Sequence, residues 1–99
     1  MAKYHVYCAP SSSSYILDVQ TDLLDALNTR VVVPLMPLSD APTAAKRLNP
    51  NFDIGGESYM MVTQFMAAVP TSILKDPVCD LSDHFADITA ALDMVFQGF

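Results

Sequence analysis

Apolar and polar positions alternate in the first two thirds of this chain and recur at threes and fours in the last fifth. Residues 3–8, KYHVYC, place Tyr4, Val6 and Cys8 on one side and Lys3, His5 and Tyr7 on the other, the pattern of a half-buried strand. Residues 15–20, YILDVQ, predict a second strand. Residues 30–35, RVVVPL, form a continuous β-branched run, as a buried strand does. Pro34 removes a ladder donor from that run, so the strand is expected at an edge or irregular there. Residues 52–54 and 57–63 flank Gly55-Gly56, a pair suited to a hairpin turn with positive φ. Phe65 to Val69 adds a short strand closed by Pro70.

The connections are polar or broken by proline. Pro10 and the run Ser11 to Ser14 read as a turn or loop. Residues 36–50 carry Pro37, Pro42 and Pro50 and read as an excursion, with one helical turn over Ala44 to Leu48. The bend from Thr21 to Asn28 sets Leu23 and Leu24 between Asp22 and Asp25. Local pattern favours tucking both leucines into the core; the other reading exposes at least one of them as a contact patch.

From Leu81 the period changes to that of a helix, predicted over about 82–98. Ser82 is the expected N-cap, with Asp83 in the first turn. Phe85, Ile88, Leu92, Val95, Phe96 and Phe99 make an apolar stripe to face the sheet or a second subunit. Ala86, Ala90, Asp93 and Gln97 make a small, flat face that suits close approach by a partner. The element order predicts a mainly β fold, a small twisted antiparallel sheet or partly closed barrel covered by one C-terminal helix, with residues 1–99 as one domain.

Composition sharpens this. The chain is 52% hydrophobic and 16% charged, which argues against disorder and for some surface buried against another subunit. Its net charge is −6, and the five bases, Lys3, Arg30, Lys46, Arg47 and Lys75, form no stripe. Direct binding to nucleic acid is therefore not expected. After Lys75 every charged side chain is acidic. A helix C-terminus favours cations by roughly 0.3–1 kcal/mol, so Asp93 near that end points to a basic partner. The two cysteines, Cys8 and Cys79, predict reduced thiols of a cytosolic protein. No signal-peptide pattern and no run of about 18 apolar residues occurs, so no membrane segment is expected. His84 beside Asp83 and Asp87 lacks zinc-ligand spacing, and no P-loop, G-x-S-x-G or G-x-G-x-x-G is present. No enzyme, metal or cofactor is expected.

Several segments carry a family likeness: LDVQTDLLD (Leu17 to Asp25), RVVVPL (Arg30 to Leu35), DIGGESYMMVT (Asp53 to Thr63), MAAVP (Met66 to Pro70), and CDLSDHFADI running into DMVFQGF. In this order, spread over nearly all 99 residues, they resemble the CcdB toxins of ccd toxin–antitoxin modules. The resemblance implies a small SH3-like barrel with a C-terminal helix, a homodimer of the bacterial cytoplasm. Such toxins bind the A subunit of DNA gyrase and trap the enzyme on cleaved DNA. A CcdA-type antitoxin neutralises them, and the pair represses its own operon, with DNA touched only through the antitoxin. The resemblance puts the gyrase contact at the helix end, near the dimer axis. Gln97, Gly98 and Phe99 stand where the family has Trp-Gly-Ile, and Asp93 stands at an asparagine. Leu23 and Leu24 stand at a pair of isoleucines beside that surface, which moves their reading toward exposure. Gln97 lacks the flat face a tryptophan offers for stacking and cation–π contact. Phe99 supplies a ring two positions later. Two other readings exist: a non-toxic module that binds the antitoxin and tunes repression, and a ribonuclease toxin of related fold. For the latter, Arg30, Arg47 and two histidines are sparse equipment.

Overall fold

The computed structural model of this chain describes residues 2–10 and 13–98. Its strands are β1 (His5–Cys8), β2 (Tyr15–Asp18), β3 (Thr29–Pro37), β4 (Asn51–Ile54), β5 (Glu57–Met61), β6 (Ala67–Pro70) and β7 (Cys79–Asp80), and its helix is α1 (Phe85–Gln97). Every strand pairing is antiparallel. The order across the sheet is β4-β5-β3-β2-β1-β7, with β6 also on β3. The result is a mainly β, nearly closed barrel with one C-terminal helix.

β3 organises the sheet. One edge pairs with β2; the other gives Thr29–Val32 to β6 and Leu35–Pro37 to β5. Pro34 lies at that change of partner, so its missing N–H falls where no regular ladder bond is required. Its carbonyl accepts from the Val62 N–H at 2.9 Å. The irregularity expected at Pro34 is present, but the strand is central and not an edge. The hairpin at Gly55-Gly56 is as expected, with φ of 62° and 85° pairing Ile54 with Glu57.

The expected alternation of residues 3–8 does not hold. Tyr4 has φ 75° and turns the chain into β1, its N–H donating to the Asp18 carbonyl at 2.8 Å. Val6 and Tyr7 are then both buried, and Cys8 is exposed. The reason is that this part of the sheet is covered on both faces. Val6, Leu17 and Val33 join the main core with Ile88 and Ala91 of α1. Tyr7, Ile16 and Val32 face a second cluster closed by Leu74 and, partly buried, Ile73. Two-sided burial removes the period-2 signal.

Other boundaries shift. β5 ends at Met61, and Thr63–Phe65 forms a 3-10 turn instead of strand, so the next strand starts at Ala67 and not Phe65. The Thr63 hydroxyl donates to the Leu48 carbonyl and Asn49 Nδ2 to the Met61 carbonyl, which pins the 36–50 excursion to this turn. The helical turn expected over Ala44 to Leu48 is closed by Asn49 N–H donating to the Ala45 carbonyl at 2.9 Å.

Ser82 is not a side-chain cap. Residues Ser82–His84 form a 3-10 turn before α1, and the Ser82 N–H donates to Asp80 Oδ1 at 2.7 Å. Asp80 takes the capping role, and that bond, with the Ser82 hydroxyl, lowers its pKa. The predicted apolar stripe of the helix is only partly inward. Ile88 and Ala91 are buried and Leu92 packs on the core, whereas Phe85 (59%) and Phe96 (71%) are exposed. Phe85 and Phe96 are eleven residues apart, about three turns, and share one flank of α1. Among the described residues, no helix is long and apolar enough to cross a membrane.

Candidate functional site

The bend between β2 and β3 is exposed from Thr21 to Thr29. Thr21, in extended conformation, accepts at its hydroxyl from the Leu23 N–H at 3.3 Å and opens a 3-10 turn over Asp22–Leu24. Leu24 N–H returns to the Thr21 carbonyl and Asp25 N–H to the Asp22 carbonyl. Both leucine side chains of this turn are accessible. Leu23 is 91% exposed and Leu24 47%, so the core placement favoured by local pattern is not what forms. Leu27, half exposed, extends the same apolar tip.

What holds this bend is polar and lies beneath it. Arg30, fully buried at the head of β3, donates from Nε to Asp18 Oδ2 at 2.8 Å and from Nη2 to Asp18 Oδ1 at 3.0 Å. Nη2 also reaches the Gln20 carbonyl and Asp22 Oδ1, both at 3.1 Å. Burial works against the Arg30 charge, yet its hydrogen bonds to Asp18 and Asp22 outweigh that and raise the pKa. Asp22 Oδ1 also accepts from the Lys3 backbone N–H at 2.9 Å; that bond first, and Arg30 second, hold the carboxyl below its ordinary pKa. Gln20 closes the neck of the bend. Its Nε2 donates to the carbonyls of Leu24 and Thr29, and its Oε1 accepts from the Val31 N–H.

None of Asp18, Gln20, Asp22 and Arg30 was singled out by sequence pattern as supporting the bend. A signal was present: Asp18 and Arg30 are opposite charges placed inside two apolar strands. Groups so placed are paired or costly. The pairing also bears on RNA chemistry. Arg30, one of the few cations available for a ribonuclease reading, is committed to two carboxylates and has no exposed surface.

At the other end, α1 stops at Gly98, whose φ of 80° is left-handed and whose N–H donates to the Met94 carbonyl at 3.1 Å. That is an αL cap, a conformation glycine adopts without side-chain strain. Gln97 is exposed and Asp93 half-buried. The last turn carries no basic residue. Ala86 is exposed and Ala90 half-buried, and Ala90 with Asp87 lines a hollow shared with Lys46, Arg47 and Pro50. Phe99 lies outside the described residues.

Alongside α1 runs a cleft of about 600 Å³, walled by Ala45, Lys46, Arg47 and Leu48 on one side and Met94 and Val95 on the other, with Gln64 between. The bend is tied to β2, β3, Lys3 and, through its Asn28 carbonyl, the Thr71 N–H, and α1 packs on the 63–65 turn and, through Ile88 and Ala91, on the core shared with β2 and β3. Among the described residues no hydrogen bond or ion pair joins the two. Leu23 and Leu24 lie together on the 3-10 turn, and Asp93, Gln97 and Gly98 on the last turns and cap of α1.

Neither surface carries catalytic equipment. His84 is exposed and lies against Phe52, ring centres 5.0 Å apart. Among the described residues no three His, Cys, Asp or Glu side chains are grouped to hold a metal ion. Cys8 and Cys79 are free, Cys8 at the surface and Cys79 half-buried. The family model described as CcdB protein matches residues 3–98, nearly all of the chain, and this chain therefore belongs to the CcdB family, whose members are non-enzymatic ccd toxins.

Proposed function

We propose that this protein binds the A subunit of DNA gyrase and traps the enzyme on cleaved DNA, through Leu23 and Leu24 on the bend and Asp93, Gln97, Gly98 and Phe99 at the helix end. The observation that carries the reading is Leu23, 91% exposed on a bend anchored by a fully buried arginine. A large apolar side chain held outward in this way has the character of a contact residue. Asp93 near the C-terminal end of α1, with no basic residue in the last turn, supports a basic partner surface.

The working form is a homodimer of one-domain subunits spanning residues 1–99, in the bacterial cytoplasm. The exposure of Phe85 and Phe96 along one flank of α1 supports a subunit contact there. A CcdA-type antitoxin neutralises the toxin, and the pair represses its operon with the DNA contact supplied by the antitoxin. The net charge of −6 suits a protein that does not hold DNA itself.

A second reading has its own observation. Gln97 stands where the family carries a tryptophan, and a chain without that ring is suited to bind antitoxin without poisoning gyrase. The ribonuclease alternative is weakened by the burial of Arg30. Induced expression in a gyrase-sensitive host and in one with a resistant gyrase A subunit separates these readings. Death of the first alone fits the gyrase reading. Survival of both fits the antitoxin-binding module, and death of both with RNA degraded fits a ribonuclease.

A further inference from the structure

The exposed bend has no buried apolar anchor of its own: all nine side chains from Thr21 to Thr29 lie outside the core. Its turns are closed by local backbone bonds and its Asn28 carbonyl accepts from the Thr71 N–H; what ties it to the barrel through side chains is the polar group at its neck. Gln20 is buried, and its carboxamide makes three hydrogen bonds, two to carbonyls within or at the end of the bend and one to the first residue beyond Arg30. Asp22 completes the frame from the outer side, joining Arg30 to the backbone of Lys3. We propose that Gln20, with Asp22 and Arg30, is a positioning residue that presents Leu23 and Leu24 to the gyrase A subunit. The inference rests on reading that bend as the gyrase contact.

The physical basis is preorganisation. A bend already ordered in the free protein loses less conformational freedom on binding, and that saving appears as affinity. Removing the neck bonds frees the bend while the barrel stays intact, because the core clusters contain neither Gln20 nor Asp22.

Gln20→Leu keeps most of the side-chain volume and removes all three bonds. Asp22→Ala acts at a half-exposed position and serves as the second variant, with Asp22→Asn retaining an acceptor for the Lys3 N–H. Three quantities are measured: amide exchange of residues 22–29, thermal unfolding, and affinity for purified gyrase A subunit. Each variant is made alone and in a Leu23→Ala/Leu24→Ala background. The expected result is faster exchange confined to the bend and about tenfold weaker gyrase binding for Gln20→Leu and Asp22→Ala, with Asp22→Asn closer to the parent. In the leucine-free background the penalty of Gln20→Leu disappears, because it acts through those side chains. Unchanged exchange, or a penalty that persists without the leucines, overturns the positioning role. If Leu23→Ala/Leu24→Ala itself binds gyrase A as tightly as the parent, the contact reading fails first and the positioning role goes with it.

Discussion

Arg30 and Asp18 face each other across neighbouring strands in a double hydrogen bond, Nε to Oδ2 at 2.8 Å and Nη2 to Oδ1 at 3.0 Å, with both side chains fully buried. The pair joins fold to site, since the same guanidinium carries Asp22 and the Gln20 carbonyl at the base of the leucine bend.

Breaking this pair from one side leaves an uncompensated buried charge. Arg30→Met is expected to cost about 3–5 kcal/mol in urea unfolding. Replacing both partners, with Asp18→Leu added, recovers a large part of that loss. A single variant within about 1 kcal/mol of the parent contradicts the account of the pair.

Acid stability follows from Asp22 and Asp80. Both carboxyls have folded-state pKa values below their ordinary ones, through the Lys3 N–H and Arg30 for Asp22 and through Ser82 for Asp80. Their contribution is present above the unfolded pKa of about 3.9 and is lost as pH falls through the lowered folded values. In that window the unfolded chain binds more protons, so stability rises with pH. The melting temperature of the parent is expected to fall below roughly pH 4 more steeply than that of Asp80→Asn. Parallel curves count against the cap assigned to Asp80.

The legibility of these features differed for physical reasons. The Gly55-Gly56 hairpin was readable because its turn demands positive φ and few sequences supply it. The helix was readable from its period, with its regular part starting three residues beyond Ser82, since Asp80 rather than Ser82 satisfies the first turn. β1 misled because Tyr7 meets a second cluster behind the sheet, and burial on both faces hides alternation. Phe85 and Phe96 fit the helical stripe, but inward orientation depends on where the barrel surface lies, which period alone does not specify. Leu23 and Leu24 are exposed on a 3-10 turn whose placement outside the barrel local pattern does not specify, and the family likeness pointed that way. Gln20 and Asp22 support the bend through contacts four to nineteen residues apart, most of them beyond the reach of a local pattern.

Gly98 ends α1 with φ 80°, and a Cβ added there meets nothing within 4 Å. The cost of Gly98→Ala is therefore conformational, about 1 kcal/mol, or a melting shift of roughly 4–8 °C at most. Gly98→Asn costs less, because asparagine tolerates the left-handed region. An alanine variant that melts with the parent and keeps its helical signal contradicts the αL cap.

Gln97 tests the helix end from the opposite direction. It is exposed and makes no contact with the core. Gln97→Trp adds a flat ring able to stack on a cation of the partner, worth about 1 kcal/mol, or roughly fivefold in gyrase A affinity. Its melting temperature stays with the parent. Unchanged affinity removes this position from the gyrase contact.

Trapping of the gyrase–DNA cleavage complex tests the central claim most directly. Purified gyrase, supercoiled plasmid and ATP are incubated with this protein, and cut DNA is counted after detergent and protease treatment. The account predicts protein-dependent linear plasmid that is diminished by Leu23→Asp and absent with a resistant gyrase A subunit. Tight binding to an antitoxin with no cut plasmid at any concentration would contradict it.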